Sequence, residues 1–113
     1  MSKKKQNDLK LSEKILNQIK ESSKGFHFYE DIHKPLHQTA MSLEDFANKI
    51  KTIPSHSLEF HMKRGDFSKW VEDTIGDTKL ARAINRINVS GEDLRKELSS
   101  TVGKRIEELR KAL

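Results

Sequence analysis

The five phenylalanines, the tyrosine and the tryptophan of this chain all fall between Phe26 and Trp70, so one stretch holds every aromatic ring available to build an interior. A buried ring removes about 150–250 Å² from water, which outweighs the few tenths of a kcal/mol expected of a surface ion pair. The fold must therefore close around Phe26, Phe28, Tyr29, Phe46, Phe60, Phe67 and Trp70. A chain of 113 residues can form one such centre and not two. Apolar residues are 34% and charged residues 35%, a lean mixture that fills a small interior but leaves little margin for an elaborate catalytic cavity.

Around this centre the periodicity is helical. Residues 9–20 carry Leu9, Leu11, Ile15, Leu16 and Ile19 at mostly helical spacing among Lys and Glu, and Glu21 to Gly25 reads as an end and a linker. Phe26-His27-Phe28-Tyr29 has extended propensity, but no partner strand is legible elsewhere, so it is expected to be an irregular buried anchor. Residues 30–40, with Pro35 between His33 and His37, read as a loop leading to Ser42, which forms a capping box with Asp45. Pro54 interrupts the next segment, and Ser55 or Ser57 opens a helix that reaches Arg64. Gly65 and Gly76 are the stops, Asp66 and Asp77 the caps that follow them. Such short corners turn helices sharply on one another.

Ser90 with Asp93 reads as a further capping box opening the longest periodic segment, residues 91–112. Its stripe of Leu94, Leu98, Val102, Ile106, Leu109 and Leu113 drifts from a heptad phase near Gly103, which disfavours a long zipper. The expected fold class is all-α: a compact orthogonal bundle of five to six short helices with a longer C-terminal helix. Residues 1–24 are expected to be a basic amphipathic arm, and residues 25–113 a single helical domain.

Several chemistries are excluded by composition. Without cysteine there are no disulfides, thiolate nucleophiles or cysteine-held metal centres. No apolar run follows the basic start as in a signal peptide, none is long enough to span a membrane, and no glycine-rich phosphate loop is present. A cytoplasmic location, no membrane and no cofactor are the expectations. The formal charge of +5 is unevenly spread. Residues 1–24 hold seven lysines against three acids, whereas residues 25–89 hold nine charges of each sign. A nucleic-acid interface would have to combine Lys3, Lys4 and Lys5 with the helical face of Lys79, Arg82 and Arg86.

The central block also resembles a known family. Ser57-Leu58-Glu59-Phe60-His61, then Arg64-Gly65-Asp66-Phe67-Ser68-Lys69-Trp70, then Gly76-Asp77 with Leu80-Ala81, is similar to a family of unknown function found mainly in archaea and some bacteria. The resemblance covers about residues 26–88 and carries no known activity, so it transfers no functional residue. It implies relatives fused at times to sugar-acting enzymes, hence an accessory or regulatory module.

All five histidines, His27, His33, His37, His56 and His61, lie within this block. His33 and His37 flank Pro35, while His56 and His61 are five residues apart and do not share one helical face. A metal site from His33, His37, His56 and His61 would need the fold to gather them. Glu30 and His33 form one Glu-x-x-His unit where a di-iron bundle needs two. His61, beside the aromatics, reads as a half-buried histidine bonded to a carboxylate or a backbone carbonyl. Ser57, His61 and Asp66 contain the residue types of a serine triad but lack a nucleophile-elbow sequence. Arg64-Gly65-Asp66 is better explained as helix end, turn and cap than as an adhesion tripeptide.

No catalytic residue is nominated. The leading expectation is a non-catalytic protein-interaction or self-associating accessory module, with Leu98, Val102, Ile106, Leu109 and Leu113 as the contact stripe. A nucleic-acid-binding protein is the first alternative. A histidine-based metal-binding protein or an enzyme of unfamiliar type is the second.

Overall fold

The computed structural model describes residues 10–113. Residues 10–16 are helical (α1) and lead through a 3-10 turn, Ser22–Lys24, into a hairpin of β1 (Phe26–Asp31) and β2 (Lys34–Ala40). Helices α2 (Leu43–Lys49), α3 (Ser55–Arg64) and α4 (Asp66–Trp70) follow. A π-helical turn, Val71–Ile75, continues α4, and α5 (Thr78–Asn85) and the long α6 (Gly91–Lys111) complete the chain. Among the described residues no helix is long and apolar enough to cross a membrane.

The fold is α+β, which corrects the all-α expectation: β1 and β2 pair antiparallel in a two-stranded sheet. The Phe26–Tyr29 run therefore has a partner strand, in the segment read as a loop. β1 alternates as a strand packed on a core should, with Phe26 and Phe28 buried and His27 exposed. β2 shows no such alternation, because most of it faces solvent and only Ala40 is fully buried. Pro35 stands opposite Tyr29, whose backbone N–H and C=O both turn toward α3, so no ladder bond is lost there. Between the Tyr29–Pro35 and His27–Thr39 pairs, β1 has one intervening residue and β2 has Leu36, His37 and Gln38. His37 absorbs this bulge with a left-handed φ of 58°.

The helix boundaries follow local chemistry with two exceptions. Ser42 accepts the Asp45 N–H at 2.9 Å, and the Asp45 carboxylate accepts the Met41 N–H at 2.9 Å, a reciprocal cap displaced by one residue. α3 begins directly after Pro54 and ends at Gly65, whose φ of 71° lies where a side chain is strained. Asp77 caps α5 through the Leu80 N–H at 3.1 Å. Asp66, however, makes no capping bond to α4, because its carboxylate is taken by other side chains. Ser90 likewise makes no side-chain cap at α6.

The core centres on the Phe26 ring, whose centroid lies 4.9 Å from Phe28, 5.0 Å from Phe67 and 5.6 Å from Trp70. Phe46 from α2 completes this layer, and Tyr29 and Phe60 remain half-buried at its edge. The aliphatic part is built from Leu80 and Ile84 of α5 with Leu94, Leu98, Val102, Ile106 and Leu109 of α6. Ile15 of α1 is fully buried in the same cluster, with Leu16 and Ile19 packed against it, so residues of the expected arm contribute to the common interior.

Candidate functional site

A cleft of about 550 Å³ opens between the hairpin, the C-terminal half of α3 and the α4–π segment. Tyr29 and Ile32 line it from the hairpin, Phe60 and Arg64 from α3, and Lys69 and Asp73 from the far wall. His61, Asp66 and Trp70 also border it. The Arg64 guanidinium sits 5.1 Å from the Phe60 ring centroid while its Nε donates to Asp66 at 3.1 Å, which holds the rim arginine over an aromatic face.

His61 is 3% exposed and both of its ring nitrogens are engaged. Nε2 accepts the backbone N–H of Tyr29 at 2.9 Å. A backbone amide can only donate, so Nε2 carries no hydrogen and the proton resides on Nδ1, which donates to Asp66 Oδ2 at 2.9 Å. One turn earlier on α3, the Ser57 hydroxyl donates to the Tyr29 carbonyl at 2.6 Å. Residues four apart on a helix share a face, and here that face grips both backbone groups of one strand residue. Burial pushes the His61 imidazole below its ordinary value near 6.5; the Asp66 bond and charge oppose the shift without cancelling it, and Arg64 adds to it.

This geometry does not assemble a serine triad from Ser57, His61 and Asp66. The nitrogen that would take a proton from serine is occupied by the Tyr29 N–H, and the serine hydroxyl is directed to a carbonyl. The sequence reading of His61 as bonded to a carboxylate agrees with Asp66, but its backbone partner is an amide N–H, not a carbonyl.

His27 borders the same cleft, but the other three expected metal ligands are not brought together with His61. His33 and His37 lie exposed on the hairpin, and His56 pairs with Glu30 at 2.7 Å near the start of α3. Among the described residues no three His, Asp or Glu side chains are grouped to hold a metal ion. Lys3, Lys4 and Lys5 lie outside the described residues. Lys79 meets Glu108 of α6 at 3.2 Å, whereas Arg82 of α5 and Arg86 at its C-cap are exposed, one turn apart. Leu98, Val102, Ile106 and Leu109 are buried in the molecule's own core, while Leu113 is 62% exposed.

Two features escaped sequence reasoning. The use of the Tyr29 backbone by α3 leaves no side-chain signature. The pairing of Arg105 with Asp77, at 2.7 Å and almost fully buried at the aspartate, joins residues far apart in sequence through the packing of α5 on α6.

The chain matches the model of a Family of unknown function (DUF5752) over residues 5–104. It belongs to that family. The match extends beyond the central block on both sides and takes in α1 and most of α6. Neither the search of curated proteins nor that of solved structures returns a match.

Proposed function

We propose that this family member is a non-catalytic interaction module that receives a protein partner in the cleft beside its hairpin. The observation that carries this reading is the state of the cleft floor. His61 and Ser57 commit their polar atoms to Tyr29 and Asp66, so with the ring neutral these two side chains hold the wall in shape. What faces outward is an apolar centre, Ile32 at 60% exposure with Tyr29 and Phe60, ringed by Arg64, Lys69 and Asp73. An apolar centre inside a charged rim is the usual anatomy of a protein contact. The fused relatives implied by the resemblance would fit an accessory role of this kind.

Self-association is the simplest form of the proposal, and Ile32 tests it. In light scattering across a concentration series, a second copy in the cleft would raise the mass above 13.1 kDa, and Ile32→Asp would return it to the monomer value. A different protein partner would leave the mass constant, yet give a saturable adduct from a photo-crosslinker at position 32 that Phe60→Ala weakens. A constant mass with no adduct would count against the proposal.

A second reading, nucleic-acid binding, is favoured by one observation: Arg82 and Arg86 are exposed side by side and have no ion-pair partner among the described residues. Fluorescence anisotropy with duplex and single-stranded probes at low salt decides it. Binding that disappears in the Arg82→Ala, Arg86→Ala double variant would support a phosphate contact there. Absence of binding at low ionic strength would remove it.

A further inference from the structure

We infer that the Tyr29–His61 hydrogen bond is an acid-sensitive latch: protonation of His61 at Nε2 releases β1 from α3 and loosens the hairpin wall of the cleft. The direction follows from which nitrogen is available. Nδ1–H already points at Asp66, so an added proton must enter at Nε2, the atom that accepts the Tyr29 N–H. Two donors would then face each other across 2.9 Å, and the Tyr29 amide would lose its acceptor. The imidazolium keeps Asp66 as its counter-ion, so the charged ring has a reason to stay while the strand has a reason to leave.

The surrounding charges define how local the release is. Asp66 from α4 and Arg64 from α3 act on the His61 charge, and α6, which also packs on α3, supplies none of its hydrogen-bond partners. His27 of β1, Lys69 of α4 and Asp73 of the π turn line the cleft, while the remaining ring neighbours, Phe26, Phe28, Phe60 and Phe67, carry no charge. Two contacts oppose full detachment. Ser57 still holds the Tyr29 carbonyl, and His56 pairs with Glu30 at 2.7 Å, a contact whose exposure keeps its contribution small. Release is therefore centred on the Tyr29 amide. None of the hydrogen bonds of the latch involves a residue of α5 or α6. The latch concerns the hairpin alone and needs no occupant in the cleft.

The test uses the intact chain, with amide hydrogen exchange read by NMR between pH 7.5 and 4.5, corrected for intrinsic exchange, alongside the ring nitrogen shifts of His61. Protection of the Tyr29 amide is expected to fall at least tenfold as the imidazolium appears, while the amides of Val102 and Ile106 keep theirs. His56→Gln should leave this transition in place. The inference is overturned if His61 becomes charged without loss of protection at Tyr29, or if it remains neutral down to pH 4.5. Equal loss of protection at Tyr29 and in α6, or disappearance of the transition in His56→Gln, would overturn it as well.

Discussion

His61 and Asp77 are buried polar side chains in an aromatic and aliphatic interior, and each is fully partnered; among the described residues no buried side-chain nitrogen or oxygen lacks a hydrogen bond. Asp77 caps α5 through Leu80 and takes both Nε and Nη2 of Arg105. Burial alone would depress the Arg105 guanidinium, but the Asp77 and Glu108 contacts outweigh it and raise its value. Removing Asp77 leaves the Arg105 guanidinium with Glu108 alone and α5 without its cap, and Asp77→Ala is expected to cost about 3 kcal/mol in urea unfolding. The capping half of this role was legible from Gly76-Asp77-x-x-Leu80; the arginine was not, because only tertiary packing brings α6 to it. Trp70 is 8% exposed and its indole N–H donates to the Lys24 carbonyl at 2.9 Å. Trp70→Ala should cost about 3–5 kcal/mol. A measured loss below about 1 kcal/mol would mean that the ring is wetted in solution.

At the scale of elements, the hairpin separates what the sequence carried from what it did not. Helices with a cap, a proline start or a glycine stop, such as α2, α3 and α5, are readable because their boundaries depend on neighbouring residues. β2 depends on pairing with β1, has a bulge at His37 and buries little of itself, so its periodicity is erased. The hairpin also needs Gly25. A Cβ there would lie 2.6 Å from the Thr39 side chain and 2.8 Å from the Ala40 carbonyl oxygen, where β1 enters beside the end of β2. Gly25→Ala is expected to destabilise the protein by about 1–3 kcal/mol through this overlap. By contrast Gly65→Ala is strained by its backbone angle, with open space around the added carbon. Thermal unfolding of the two variants, with Tyr29 amide protection as a second readout, distinguishes the mechanisms: only Gly25→Ala should disturb the hairpin at temperatures where the rest is folded.

For the whole molecule, pH dependence follows from the direction of the His61 shift. Its folded value lies below the ordinary one near 6.5, so the unfolded chain binds the proton more readily. The stability associated with the neutral ring is present above the ordinary value and is lost as pH falls through the depressed folded value. Asp45 reinforces the trend at lower pH: burial raises its carboxyl, but the Lys49 bond and the Met41 N–H outweigh it and lower the net value. Urea midpoints should therefore be level near neutrality and decline on acidification. Helical content and the aromatic centre were accessible from periodicity and composition, whereas the cleft arises from the way the hairpin, α3 and the α4–π segment meet, which no local pattern encodes. The same meeting engages both ring nitrogens of His61 and ties α3 to β1 and α4. Long-range proton–nitrogen NMR of the His61 ring at pH 7.5 measures this most directly. An Nδ1–H tautomer with a bare Nε2 accepting from the Tyr29 amide is expected; an Nε2–H tautomer, or a ring exchanging freely between the two, would contradict it.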